Sequence, residues 1–366
     1  MKDLRIVSFL PAATEMVYAL GLGDSLVGVS HECDFPAAAK TKPIVVRPAI
    51  DLDKMSLSEI DVAVAERIGS GQSLYLVDEN LLRELRPTLI LTQNLCQVCA
   101  PSGNELAVAL NLLEPKPQVA WMSPHSLADI FLNILDLGKA TNRLEETERL
   151  VAEYRTRLDM IAAKTKGLPR RPRVFFMEWV DPIYCAGHWV AEMIELAGGV
   201  DTLARSGVDS VRIAWDDVVK WSPEVLLVSP CGFNSAKSLE QTPFLESLPG
   251  WSELPAVRTG RVFCTDANSY FARPGPRVVE GVELLAHLIH PEVFNWNGPD
   301  DAYCMAGSCI NAVSRNKLCP ECGQSFACTP GQCWCNKLPP VHPTSGTDCL
   351  CPACLAKLVG AALARN

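Results

Sequence analysis

Sixteen cysteines stand in a chain of 366 residues, six in residues 1–299 and ten in residues 300–366, and their spacing marks where thiol or metal chemistry is possible. Near the end, Cys319-Pro-Glu-Cys322 and Cys351-Pro-Ala-Cys354 form two knuckles, with Cys328, Cys333-Trp-Cys335 and Cys349 between and beside them. Two such knuckles supply four thiolates to one tetrahedral zinc ion, and eight cysteines suffice for two ions. So short a segment buries little apolar surface, and bound metal supplies the missing folding energy. The spacing predicts a structural zinc module, with disulfides as the alternative if the chain is exported. Cys304 and Cys309 lack this spacing and receive no role.

A second set, His31, Cys33, Cys96, Cys99, Cys185 and His188, falls on predicted loops of the main body. Cys96-x-x-Cys99 with Cys33 and an imidazole suits zinc. The dithiol also suits redox cycling, and packing of the thiols as small hydrophobes remains open. Glu178 and Asp181 flank Trp179 without a catalytic partner, and there is no Ser-His-Asp elbow, phosphate loop or dinucleotide fingerprint. The expectation is a binding protein and not an enzyme.

The elements that position these residues alternate between strand and helix. An apolar, β-branched strand begins at Arg5 and ends by Pro11; Met16, Val17 and Leu20 keep helical spacing, Gly21 caps that helix, and Leu26–Val29 is the next strand. The buried strand in Leu85–Thr92, introduced by proline, is matched in form by Trp221–Ser229, and the helix Glu15–Gly23 by Glu192–Gly199. The fold class is therefore α/β, with two Rossmann-like lobes of one architecture. Between them Ser126–Lys166 keeps helical spacing at Phe131, Ile134, Leu150, Val151, Tyr154, Leu158 and Ile161. A helix of ~25 residues there spans about 37 Å and joins the lobes as a spine. In the second lobe Arg173–Met177, Val225–Val228 and Arg261–Thr265 read as strands, and His188–Leu196 and Pro276–Ile289 as helices. The predicted organisation is a first lobe over 1–125, a spine over 126–168, a second lobe over 169–294, a linker over 295–318 and the cysteine-rich domain over 319–366.

Open α/β sheets place ligands on loops that leave the carboxyl ends of strands. Here those loops carry many aromatic side chains, which suit a large, flat, amphipathic ligand. Phe9, His31, Trp179, His188, Trp189, Phe233, Tyr270, Phe271 and Arg273 are the candidate binding residues. A net charge of −9 argues against a nucleic-acid backbone as partner. No uncharged stretch reads as a membrane span. Pro11 and Glu15 interrupt the opening apolar run, which therefore fails as a secretory signal. The expected location is cytoplasmic, with a periplasmic one if the true start lies upstream.

Residues 5–291 resemble a class III substrate-binding protein of the cobalamin and iron-siderophore group, nearest its cobalamin-binding branch. The resemblance rests on Leu10-Pro-x-x-Thr-Glu15, His31-Glu-Cys-Asp34, Gln93-x-Leu-Cys-x-Val-Cys99, Glu178-Trp-x-Asp-Pro182 with Gly187-His-Trp189, and Arg273-Pro-Gly-Pro-Arg277. It implies two lobes joined by a long helix, with cobalamin or another corrinoid bound in the interlobe cleft and an imidazole available to its cobalt. Iron-siderophore and haem are the alternative ligands, delivery to an ABC permease the implied partnership, and an enzyme handling a metal or cofactor with the cleft thiols the alternative function. The tail is similar to the small domains named for a Cys-Trp-Cys core.

Overall fold

The computed structural model describes residues 4–52, 55–94, 110, 113–306, 315–318, 322, 324–328 and 354. The chain divides into two units, Met1–Tyr303 and Cys304–Asn366.

The first unit holds two sheets. Its amino-terminal sheet has six strands: β1 (Ile6–Ser8), β2 (Leu26–Ser30), β3 (Ile44–Pro48), β4 (Tyr75–Val77), β5 (Leu89–Thr92) and β6 (Gln118–Trp121), in the order β4-β3-β2-β1-β5-β6. Ile6 sits opposite both Leu26 and Leu89, so β1 is central, and only the β3–β4 pair is antiparallel. β1 and β5 are buried throughout, as parallel strands covered on both faces must be. Helix α1 (Pro11–Ala19) follows β1, with Pro11 in the first turn, where its missing N–H costs nothing. It stops at Gly21, whose φ of 68° is left-handed and whose N–H bonds the Tyr18 carbonyl at 2.9 Å. Helix α2 (Leu57–Gly69) opens on a Ser56/Glu59 capping box in the excursion between β3 and β4, and α3 (Glu79–Leu85) leads into β5.

The second sheet has five strands, among them β7 (Val174–Trp179), β8 (Tyr184–Cys185), β9 (Val225–Val228) and β10 (Val262–Thr265), with an edge strand that starts at Tyr303. β7, β9 and β10 run parallel, and β8 returns antiparallel along β7. Both sheets are mixed with a parallel centre, as an α/β reading predicts, and they differ in strand number and order.

Residues 126–168 hold two helices, the second of them long. α4 (Leu127–Thr141) ends at Asn142, a non-glycine residue at φ 55°, and α5 (Leu144–Lys166) begins two residues later. The two helices approach so closely that a Cβ at Gly138 would lie 2.2 Å from Thr147 Oγ1. The 23 residues of α5 are the long element, and they bury Thr147, Val151, Tyr154, Leu158, Ile161 and Thr165 along one face. Phe131 of α4 stacks on Tyr154, while Arg157 grips Glu283 of the closing helix Val278–Ile289 in a bidentate pair of 2.9 and 2.8 Å. One continuous core from Ile6 to Ile289 results.

The expected linker also changes. Phe294, Trp296 and Tyr303 pack on that core, and His287 contacts the Phe294 carbonyl at 2.9 Å and Tyr303 Oη at 3.2 Å. Residues 295–303 therefore belong to the second lobe, held by aromatic burial that a Gly-Pro-Asp-Asp sequence conceals. In the second unit, Arg315–Leu318 and Ser325–Cys328 form an antiparallel pair with Leu318 opposite Ser325. Cys319 and Cys322 fall in the connection between them.

Candidate ligand-binding site

The carboxyl ends of β2, β7, β9 and β10 converge where the lobes meet, and four sets of contacts join the lobes there. At the floor, Glu15 of α1 receives Arg277 Nε at 2.9 Å and Nη2 at 2.6 Å, and Gly275 lies so close to Ala12 that an added Cβ would stand 3.3 Å from its Cα. Burial works against both charges, and the carboxylate more than offsets it for Arg277, which is held protonated more firmly than usual. Beside this pair, Arg273 reaches Asp34 Oδ1 at 2.5 Å and the Glu32 carbonyl at 3.0 Å. On another side, His125 and His188 bring their rings to 5.9 Å, and the Leu127 N–H donates to Glu192. The fourth set runs from α2 to Trp179, Tyr184 and Arg212.

Within this frame, Trp179 ends β7 and sits 6.1 Å from the Phe233 ring beyond β9. Its indole N–H is shared between the Leu57 carbonyl at 3.3 Å and the Asp181 carbonyl at 3.1 Å. His31 follows β2, half-buried, 6.4 Å from the Tyr75 ring. His188 adopts φ 48° and brings Nε2 to 2.9 Å from Asp209 Oδ1, an ion-pair distance without hydrogen-bond alignment. Burial pulls its pKa below the ordinary value against the attraction of Asp209. These three side chains, with Phe233, are the aromatic and imidazole candidates at the strand ends that retain exposed surface.

The others are corrected. Phe9 is 1% exposed and packs with Val7, Val45, Leu82 and Ile90 beneath the first sheet. Trp189 is buried and donates to the Phe271 carbonyl at 2.9 Å, and Phe271 turns edge-on to Phe176 in the core. Tyr270 is 5% exposed, against Trp296. Phe9 is drawn in because its N–H extends the β1 ladder to the Leu91 carbonyl at 2.9 Å, and Tyr270 ends a short helix beside Trp296. Arg273 serves the lobe interface, with Asp34 and Glu32 as its partners.

Cys33 is also buried, and accepts a hydrogen bond from Thr14 Oγ1 at 3.0 Å. Burial pushes its thiol up to about 11, opposite to what a zinc thiolate needs. Cys185 is buried too, while Cys96 and Cys99 lie outside the described residues. Among the described residues no group of three His, Cys, Asp or Glu side chains is arranged to hold a metal ion. Of the tail ligands, Cys319, Cys333, Cys335, Cys349 and Cys351 lie outside the described residues, Cys328 is described only as part of its strand, and Cys322 is exposed and Cys354 half-buried.

Glu178 is a feature whose partners the sequence conceals. Its carboxylate accepts from the Gly187 N–H at 2.9 Å and from the Ser210 side chain, and burial pushes it up to about 7. It pins the loop that carries His188 to the end of β7. A cavity of about 1090 Å³ lies beside the floor, between Phe35, Arg277, Tyr270, Trp296 and α5. Trp179, Phe233, His31 and His188 do not line it.

Residues 6–269 match the protein family described as periplasmic binding protein. A substrate-binding lipoprotein of an ABC transporter from Bacillus subtilis, YvrC, is 27% identical over 295 residues, covering 79% of this chain and 81% of its own. A vitamin B12-binding protein of Vibrio cholerae is 27% identical over 285 residues, covering 77% of this chain and 87% of its own. Among solved structures, the periplasmic vitamin B12-binding protein BtuF of Vibrio cholerae superposes with a TM-score of 0.55 at 24% identity, over 78% of this chain and 96% of that one. The haem-binding RhuT of Roseiflexus superposes at 0.60 with 22% identity, over 80% and 99%. Both structural likenesses show the fold. No described helix is long and apolar enough to cross a membrane.

Proposed function

The chain belongs to the periplasmic binding protein family, and from that premise we propose that this ABC-type substrate-binding protein takes a corrinoid between its lobes. The observation that carries the reading is the Trp179–Phe233 pair at the ends of β7 and β9, a half-buried aromatic wall 6.1 Å between ring centres. Ring faces of this kind supply contact area to a large flat ligand, and tips such as the indole N–H supply polar contacts. Relatives named vitamin B12-binding protein, aligned over more than three quarters of this chain, support the same ligand class. His31 and His188 offer imidazoles at the rim, and the binding role needs no catalytic group.

The tail is a separate proposal. Zinc at the cysteines of 319–354 is supported by the spacing of the two Cys-x-x-Cys knuckles, the first of which follows Leu318 directly in sequence. Such a closed thiolate site serves folding, with no position left for a reacting water.

Titration with cyanocobalamin, followed by tryptophan emission and by corrinoid absorbance carried through gel filtration, tests the ligand. Quenching with co-elution is expected, and Trp179→Ala should weaken binding about 10- to 100-fold if that ring anchors the ligand. No co-elution with cyanocobalamin or cobinamide, together with retention of haemin or a ferric siderophore, overturns the corrinoid assignment.

A further inference from the structure

Helix α2 is built unlike the other long helices of the first unit. Of its 13 residues only Leu57 is buried, and Val62 and Ile68 stand 51% and 37% exposed. Little apolar burial therefore holds it to the body of the protein, and the Ser56/Glu59 capping box stabilises the helix within itself. Yet its polar side is engaged by the opposite lobe. Asp61, 15% exposed at its side chain, receives Arg212 Nη2 at 2.6 Å and the Tyr184 hydroxyl at 3.2 Å. The triangle closes because Arg212 Nε donates to that same hydroxyl at 3.1 Å, with the guanidinium 5.8 Å over the tyrosine ring. One turn earlier, the Leu57 carbonyl takes the indole N–H of Trp179.

A helix with little apolar burial and a polar clasp on the far lobe is a strap, since exposed polar contacts open at low free-energy cost. We propose that α2 straps the mouth of the interlobe site, with Asp61 as the positioning residue that latches it to the second lobe through Arg212 and Tyr184. This rests on the reading of the interlobe cleft as the ligand site. The latch controls access and not contact area: Asp61 need not touch the ligand, but while it is clasped the Leu57 carbonyl covers the indole edge of Trp179. Opening uncovers that edge of the aromatic wall and leaves the indole N–H on the Asp181 carbonyl alone. Because the clasp is an ion pair with Arg212 58% exposed, dissolved salt weakens it.

Charge reversal separates this from a merely structural role. The variants are Asp61→Arg, Arg212→Asp and the double swap Asp61→Arg/Arg212→Asp, all in the full chain. Without ligand, amide hydrogen exchange over residues 57–69 should quicken about fivefold in each single variant, the upper range for a partly exposed pair. The double swap should restore it. Raising salt from about 0.05 M to about 0.5 M should quicken exchange in the parent and leave the single variants unchanged. With cyanocobalamin as probe, stopped-flow association and dissociation should both speed up in the single variants, leaving the equilibrium constant nearly unmoved. Exchange that is unchanged in both single variants, or not restored by the swap, overturns the latch. A change confined to dissociation shows that Asp61 holds ligand directly and overturns the gating role. Failure of cyanocobalamin to bind any variant or the parent overturns the ligand assignment, while the ligand-free exchange still decides the latch.

Discussion

Replacing Arg277 by Met should damage this protein more than any surface change, and the damage should depend on pH. The parent holds a bidentate pair at the lobe floor, with Glu15 and Arg277 side chains 3% and 13% exposed. Removing the guanidinium leaves the Glu15 carboxylate facing only Arg273, whose Nη1 stands 3.9 Å away and is already engaged by Asp34. Breaking a buried pair in this way costs about 3–5 kcal/mol, because one charge stays buried without its partner. On a domain of ordinary stability that is a large share of the total, and it should lower the melting temperature by on the order of 10 °C. Replacing both partners, as Glu15→Leu/Arg277→Met, should recover most of the loss, since a well-packed apolar pair often equals a buried ion pair. In the single variant burial drives the Glu15 pKa upward with no bidentate partner to oppose it. A folded-state pKa above the unfolded one means that stability is greatest below the unfolded value and falls as pH rises through the folded value. The deficit against the parent should therefore shrink as pH is lowered from 8 towards 5. Thermal melts of the parent, the single and the double variant across that range measure both effects. A loss below about 1 kcal/mol, or one that is the same at every pH, refutes the assignment of this pair as the ionised clasp of the lobe floor.

Three further outcomes follow from other residues. Glu178, pushed up to about 7 by burial, contributes stability that is fully present below its unfolded pKa and lost as pH rises through about 7. Glu178→Gln keeps the acceptor for Gly187 and should melt higher than the parent at pH 8, by about 1–3 kcal/mol, with the gap closing by pH 5. Gly138→Ala should cost about 1–3 kcal/mol in denaturant unfolding, because its Cβ would lie 2.2 Å from Thr147 Oγ1 and must part α4 from α5; adding Thr147→Ala, which removes that oxygen, should regain part of this. Metal analysis of the purified chain should find at least one zinc per molecule, reduced by Cys322→Ser/Cys354→Ser with the first unit still folded; an unchanged content would remove those two residues from the site.

The alternation of elements was legible because it is written locally. Pro11, the helical spacing of Met16, Val17 and Leu20, and Gly21 each state one boundary of α1 through backbone chemistry alone. The break at Asn142 was harder to read. Asparagine is tolerated in the left-handed region without announcing it, so the sequence does not mark where α4 ends and the 23-residue α5 begins. The excursion that carries α2 holds a Ser56-x-x-Glu59 cap and Leu57, Ile60, Val64 and Ile68 at helical spacing, but that spacing says nothing of burial, and only Leu57 is buried.

The site was legible as loops and not as surfaces. A strand end predicts that a loop will stand near the ligand, but the direction in which each side chain turns depends on packing between segments remote in sequence. Trp179 and Trp189 illustrate this, ten residues apart on what read as one aromatic loop. Trp179 turns to α2 of the other lobe, while Trp189 is drawn into the core by the Phe271 carbonyl, 82 positions away. Arg273 and Arg277 make the same point for charge. Two arginines in a strand-end loop suggest anion recognition, yet Asp34 and Glu15, each more than 230 positions upstream, take both. Once those arginines are committed to holding the lobes together, the described strand ends offer Trp179, Phe233, His31 and His188 beside acidic side chains such as Glu32, and no free guanidinium from this pair. That residue set favours a large conjugated ligand over a small anion, and it is the physical ground on which the corrinoid reading stands apart from any likeness of sequence.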